Sequence, residues 1–318
     1  MRIALYVIIA IILIYIIIRL IWRRSFCSLL IYLYVKTFNI RFKFKDNKEV
    51  INKRIEAKRG KPEEIPKWIL KNKSLKEYEY EDIKYYCLNE DAKSNIVIFY
   101  VHGGGFIEPL NKIQFRFLKK VVKKTDAKLY LPLYHLIPNH NYKDTYPLII
   151  NLYLKIKYEN ANKKMVMGGD SAGGNIALVI CEEVKKVDQP DELILISPAT
   201  TMKIEEDDDK AIESFEKCIL VGHDGAQAIA DAWAGDSDPR LSLISPYYGD
   251  VSNLRNVTMT LGEYDMAYGM GLEMIKKLEE ANVDVKLIIG KGLYHVWPLY
   301  PMPEAIKVRK EIVNIIKR

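Results

Sequence analysis

The most informative chemistry in the chain sits between residues 165 and 180. Met165-Val166-Met167 is an apolar run, Gly168-Gly169-Asp170-Ser171-Ala172-Gly173-Gly174 follows it, and Asn175-Ile176-Ala177-Leu178-Val179-Ile180 returns to apolar residues. The G-x-S-x-G spacing of Gly169, Ser171 and Gly173 falls where a strand would hand over to a helix. A nucleophilic serine needs its Oγ in the open, on a turn so tight that neighbouring Cβ atoms would collide. Glycines two residues to either side remove those atoms. The following helix aims its free N–H groups and positive dipole end at the place where a negative oxygen would develop. A glycine-rich turn without chemistry would carry the same letters, so the rest of the chain has to decide.

A second glycine cluster lies upstream. Asn95-Ile96-Val97-Ile98-Phe99-Tyr100-Val101 is β-branched, aromatic and apolar, hence a buried strand, and His102-Gly103-Gly104-Gly105-Phe106 ends it. Consecutive glycines let the backbone approach a ligand closely with N–H groups free to donate. Such a loop, together with the amide after a nucleophile, forms an oxyanion hole, and here the expected donors are Gly103, Gly104 and Ala172. His102 is expected to brace this loop by hydrogen bonding.

On such a scaffold an acid and then a histidine should follow the serine in chain order. Asn256–Leu261 reads as a strand with Gly262-Glu263-Tyr264-Asp265 at its end, and Val283–Ile289 alternates like another before Gly290-Lys291-Gly292-Leu293-Tyr294-His295. Reactive groups in open α/β sheets gather at the carboxyl ends of strands, which is where Ser171, Asp265 and His295 fall. His295 is the only histidine beyond residue 223. Glu263 is the competing acid, and Asp265 could instead cap a helix beginning near Met266. Asp170 should turn away from the serine and anchor the loop. His135, His140 and His223 read as structural or surface residues. No histidine pair has metal-ligand spacing with a cysteine or carboxylate, so no metal is implied.

The elements that must position these groups alternate. Apolar strands are interspersed with helices expected over Lys112–Lys124, Tyr146–Tyr158, Asn175–Lys186, Ala267–Ala281 and Glu304–Lys317, which predicts an α/β fold with a mostly parallel sheet covered on both faces. Tyr78–Leu88 looks like an antiparallel edge hairpin. The long insertion from Pro198 to Pro246 holds an acidic run, Glu205–Asp209, read as a solvated loop, and a helix over Asp224–Ala234; it should wall a substrate pocket.

The amino terminus carries a different signal. Ile3–Ile18 is 16 residues without a charge, and with Arg19–Trp22 reaches 20. As a helix that spans ~30 Å, the thickness of a hydrocarbon core. Bulky, basic Trp22-Arg23-Arg24-Ser25-Phe26 offers no small-residue cleavage site, so a retained anchor is expected. Basic residues beyond it orient the remainder toward the cytoplasmic face, and four cysteines without disulfide spacing agree with a reducing compartment. The net charge of +7 is concentrated between Arg19 and Lys76, where anionic headgroups account for it better than nucleic acid, for which no motif is present. Ser25–Val35 is apolar but too short to span. The expected division is an anchor over 1–24, a lid and membrane-proximal segment over 25–76, and a catalytic domain over 77–318.

The chain resembles the hormone-sensitive-lipase-like family of α/β-hydrolases, which includes bacterial esterases and arylacetamide deacetylases. The pieces that carry the likeness are His102-Gly103-Gly104-Gly105-Phe106, Gly169–Asn175, Leu195-Ile196-Ser197-Pro198, Ser245-Pro246, Gly262–Asp265 and His295–Leu299, within residues 90–318. The resemblance implies the α/β-hydrolase fold, esterase activity without a cofactor, a small-molecule ester as substrate and N-terminal lid helices over the site. Two stretches depart from it, Ile107-Glu108-Pro109 after the glycine loop and Tyr134-His135-Leu136-Ile137-Pro138. The expected activity is hydrolysis of short- to medium-chain acyl esters, acetyl esters among them, by a Ser171–His295–Asp265 triad. An amidase or deacetylase on the same triad, or a non-catalytic small-ligand binder, are the alternatives. Glu108 near the oxyanion loop is expected to disfavour acidic substrates.

Overall fold

The computed structural model describes residues 6, 7, 9, 10, 13, 16, 25–38, 47–204 and 209–318. After the helical residues between 6 and 16 come α1 (Phe26–Phe38), α2 (Lys48–Glu56) and α3 (Lys67–Leu70). Eight strands follow, β1 (Leu75–Tyr80), β2 (Ile83–Leu88), β3 (Ile96–Val101), β4 (Lys128–Pro132), β5 (Lys164–Asp170), β6 (Glu192–Ile196), β7 (Val257–Tyr264) and β8 (Val285–Tyr294). Between them and after them run α4 (Lys112–Thr125), α5 (Tyr142–Glu159), α6 (Ala172–Glu183), α7 (Asp209–Lys217), α8 (His223–Ala234), α9 (Tyr268–Glu280) and α10 (Pro303–Lys317).

One eight-stranded sheet in the order β1-β2-β4-β3-β5-β6-β7-β8 organises the molecule. β1/β2 and β2/β4 pair antiparallel, and every other neighbour pairs parallel. The edge hairpin is thus where Tyr78–Leu88 predicted it, extended back to Leu75. All six residues of β3 are buried, because side chains alternate between two covered faces. Val97, Phe99 and Val101 pack with α5, α6 and α9, whereas Ile96, Ile98 and Tyr100 pack with α4 and α10. That two-sided burial is why β3, β5 and β6 read as continuous apolar runs.

Helix boundaries follow their caps. α5 begins at Tyr142, four residues ahead of expectation, because Asn141 and Asp144 form a reciprocal capping box. α6 begins at Ala172, directly after Ser171, since the glycines that free the turn also continue as helix.

The predicted span over 3–18 lies for the most part outside the described residues, and the acidic residues 205–208 lie outside them altogether. Tyr6, Val7, Ile9, Leu13 and Ile16 are helical and exposed. Among the described residues no helix is long and apolar enough to cross a membrane. α1 packs beside α10, with the Ser25 amide and hydroxyl donating to the Glu304 carboxylate. α2 lies against α8, burying Ile51 and Ile55 and pairing Lys48 with Asp231 at 2.6 Å.

Candidate active site

β5 delivers Ser171 on a turn that only a constrained site keeps. Its backbone has φ 52° and ψ −121°, an unfavourable conformation for a residue with a Cβ. The turn is possible because Gly173 lies against the end of β3: a Cβ there would stand 2.1 Å from the Val101 carbonyl oxygen. The Ser171 amide donates to the Ile196 carbonyl, tying the turn to β6.

β7 and β8 supply the partners. Asp265 follows β7 and His295 follows β8, as their sequence positions predicted. His295 Nε2 lies 2.9 Å from Ser171 Oγ, and His295 Nδ1 lies 2.6 Å from Asp265 Oδ1. An ionised carboxylate only accepts, so Nδ1 carries the proton and Nε2 is left to accept from the serine hydroxyl. Burial of Asp265 pushes its carboxyl up, but the attraction of and hydrogen bond from His295, the Ser197 hydroxyl and the Ala267 amide outweigh burial and hold it below the ordinary aspartate value. It therefore stays charged while fully buried. Glu263, the competing acid, instead accepts from the Gly292 amide at 2.7 Å.

The glycine loop corrects one expectation. The Gly103 amide donates to Asp170 Oδ1 at 3.1 Å, and Gly103 is absent from the cavity wall. A donor already committed to a carboxylate cannot also take a developing oxyanion. Gly104, Gly105 and Ala172 line the cavity beside Ser171. Gly104 has φ +136° and faces the Glu108 carbonyl so closely that a Cβ would stand 2.3 Å from it, a conformation only glycine tolerates. At Ala172 the amide is one of the unpaired donors of a helix start. The letters of a glycine triplet do not say which amide turns where, so nothing in the sequence separates Gly105 from Gly103.

Asp170 anchors this loop as expected. Tyr100 OH donates to its Oδ1 at 2.8 Å and Gln114 Nε2 donates to its Oδ2 at 2.8 Å. Gln114 also donates to the Gly103 carbonyl, a role whose only sequence trace is the Asn111-x-x-Gln114 capping box. His102 braces the loop too: its Nδ1 stands 2.9 Å from the Gly103 carbonyl, its ring stacks on Tyr134, and the Tyr134 hydroxyl donates to the His102 carbonyl. Burial lowers the His102 pKa to about 4, so the ring is neutral. Ser197 is a further contributor that spacing could not show. Fully buried with φ 49°, it accepts from the Val296 amide at 3.0 Å and touches the Asp265 carboxylate, fixing the turn that carries His295.

A cavity of about 230 Å³ opens over Ser171. Its far wall is apolar and comes largely from the insertion, through Met202, Ile204, Phe215, Leu220, Val221 and Ile229, with Met266 and Met270 opposite. That confirms the insertion as pocket wall. Among the described residues none before Gly104 lines the cavity, and α2 lies against α8, which does. Glu108 is corrected as well. It pairs with Arg54 at 2.9 Å and Lys58 at 2.7 Å, so its charge is met outside the cavity and gives no reason for acidic substrates to be disfavoured.

Comparison with known proteins agrees with this architecture. Residues 98–299 match a sequence family described as alpha/beta hydrolase fold. An esterase of Acinetobacter venetianus is 22% identical over 233 residues, covering 71% of this chain and 76% of the relative. A protein of Arabidopsis thaliana named "Probable carboxylesterase 1" is 27% identical over 270 residues, covering 77% and 81%. Among solved structures, a hormone-sensitive lipase from a metagenome library superimposes with a TM-score of 0.70 at 20% identity, covering 85% of this chain and 91% of that one.

Proposed function

We propose that this chain, which belongs to the alpha/beta hydrolase fold family, is a serine carboxylesterase acting on short- to medium-chain acyl esters, acetyl esters among them. One observation carries the reading: the run of Ser171 Oγ, His295 and Asp265 at 2.9 and 2.6 Å, facing a largely apolar cavity beside glycine amides. The names of the similar esterases and carboxylesterases point the same way.

In this reading Ser171 Oγ attacks the ester carbonyl carbon as its proton passes to His295 Nε2. Asp265 holds the imidazole tautomer and offsets the charge of the imidazolium. The amides of Gly104, Gly105 and Ala172 receive the oxyanion, a contribution of about 3–4 kcal/mol per donor in comparable sites. His295 then gives its proton to the departing alcohol. Water, deprotonated by the same ring, cleaves the acyl-enzyme and restores Ser171. No step needs a cofactor.

The test is labelling with a fluorophosphonate, which reacts with activated serines. Labelling at Ser171 in the full chain, its absence in Ser171→Ala and hydrolysis of p-nitrophenyl acetate are expected. An unlabelled chain that leaves that ester untouched would defeat the reading and favour a small-ligand binder.

The same reading tethers the enzyme to a bilayer through the apolar run from Ile3, with 25–76 membrane-proximal and 77–318 on the cytoplasmic face. Support comes from the exposure of Tyr6, Val7, Ile9, Leu13 and Ile16 and from the basic flank Arg19, Arg23 and Arg24. A carboxyl-terminal reporter active only outside the cytoplasm should stay silent; activity would reverse the orientation.

A further inference from the structure

Behind the glycine loop, the connection from β4 to α5 folds back on itself. Tyr134 OH donates to the His102 carbonyl and the Ile137 amide donates to the Phe106 carbonyl, so this connection props the loop directly. Two histidines lie on it, His135 and His140, their rings stacked with centroids 4.0 Å apart. From 72 residues upstream, Glu63 joins them. Its Oε1 accepts from the Leu136 amide at 2.6 Å and its Oε2 lies 3.1 Å from His135 Nδ1.

We propose that Glu63, His135 and His140 form a binding site for a divalent transition-metal ion of the zinc class, separate from Ser171 and independent of the ester chemistry. One ligand atom from each residue lies within 4.8 Å of the other two. Two imidazoles and one carboxylate are a donor set that zinc favours, with a fourth position left for water. Bonds of about 2.0–2.2 Å in a tetrahedron set ligand atoms roughly 3.3 Å apart. Glu63 Oε2 and His135 Nδ1, at 3.1 Å, already stand at that separation. Only His140 has to swing inward, and it is the most exposed of the three, with 36% of its side chain accessible against 14% for Glu63 and 10% for His135.

The surroundings suit such a site. The Leu136 amide holds the second oxygen of Glu63, and the Asp144 carboxylate lies 3.8 Å from His140 Nδ1, placed to orient that ring once it moves. The ion takes the place of the proton between His135 Nδ1 and Glu63, the imidazole carrying its one remaining proton on Nε2. The ion would staple the segment around Glu63 to the connection that supports the oxyanion loop. Its role is therefore positional.

The test is calorimetric titration of the full-length, detergent-solubilised chain with zinc chloride, in a Cys27→Ser background that removes the exposed thiol. One equivalent should bind at micromolar affinity or tighter and raise the melting temperature. His140→Ala and Glu63→Gln should each weaken binding by about 10-fold or more, and His295→Ala should leave it unchanged. Equal affinity in His140→Ala, loss of binding in His295→Ala, or no saturable binding to the parent would overturn the proposal.

Discussion

Glu263 and Asp265 are two residues apart, both acidic and both at the end of β7, yet their side chains do different work. One accepts from the Gly292 amide and shapes a turn; the other accepts from His295. Asp265→Asn should therefore lower kcat for p-nitrophenyl acetate by about 10⁴-fold, because an amide no longer enforces the tautomer. Glu263→Gln should keep activity within a few-fold. A larger loss in the second variant would reassign the acid. Ser197 acts through its neighbours, so Ser197→Ala should lower kcat more than it raises KM and shift the pH profile of kcat; an unchanged profile would make it merely structural. At this scale Ser171, Asp265 and His295 were legible because each ends a strand, and strand ends are visible as apolar runs. Gly103 looks like its neighbours in the sequence because its amide pairs with Asp170, 67 residues away, and no local pattern records that pairing.

Elements were legible wherever burial fixed composition. The apolar runs of β3 and β6 follow from a sheet covered on both faces. β4 is harder to see, being five residues that begin with Lys128 and end with Pro132. The start of α5 is set by its Asn141–Asp144 capping box rather than by periodicity, which puts it four residues ahead of the apolar pattern. β3 and the first turn of α6 approach closely at Gly173, where a Cβ would stand 2.1 Å from the Val101 carbonyl oxygen. Gly173→Ala should force the two apart and cost about 3 kcal/mol or more, read as a lowered denaturation midpoint. Wild-type stability in that variant would mean the turn relaxes freely.

At the scale of the whole molecule, the buried His102 ring and the buried carboxylate oxygens of Glu182 should bound stability from either side. His102 has a folded pKa of about 4 against a reference of 6.5, so the unfolded chain binds more protons between them. Stability is full above the unfolded value and is lost as pH falls through the folded one, by about 3 kcal/mol in all. Glu182 is the reverse case. Burial raises its carboxyl to about 9 from 4.5, so its contribution is full in acid and lost as pH rises through 9. Denaturant titrations from pH 4 to 9 should show both losses, and Glu182→Gln should flatten the alkaline one. Failure of that variant to change the alkaline limb would place the loss elsewhere. The division of labour across the sheet carries a last consequence. The side chains of the proposed triad follow β5, β7 and β8, while much of the apolar chamber wall comes from the connection between β6 and β7, with Met266 and Met270 opposite. Diet and reaction are thus written in different parts of the gene, and a lineage can change what it digests without relearning how.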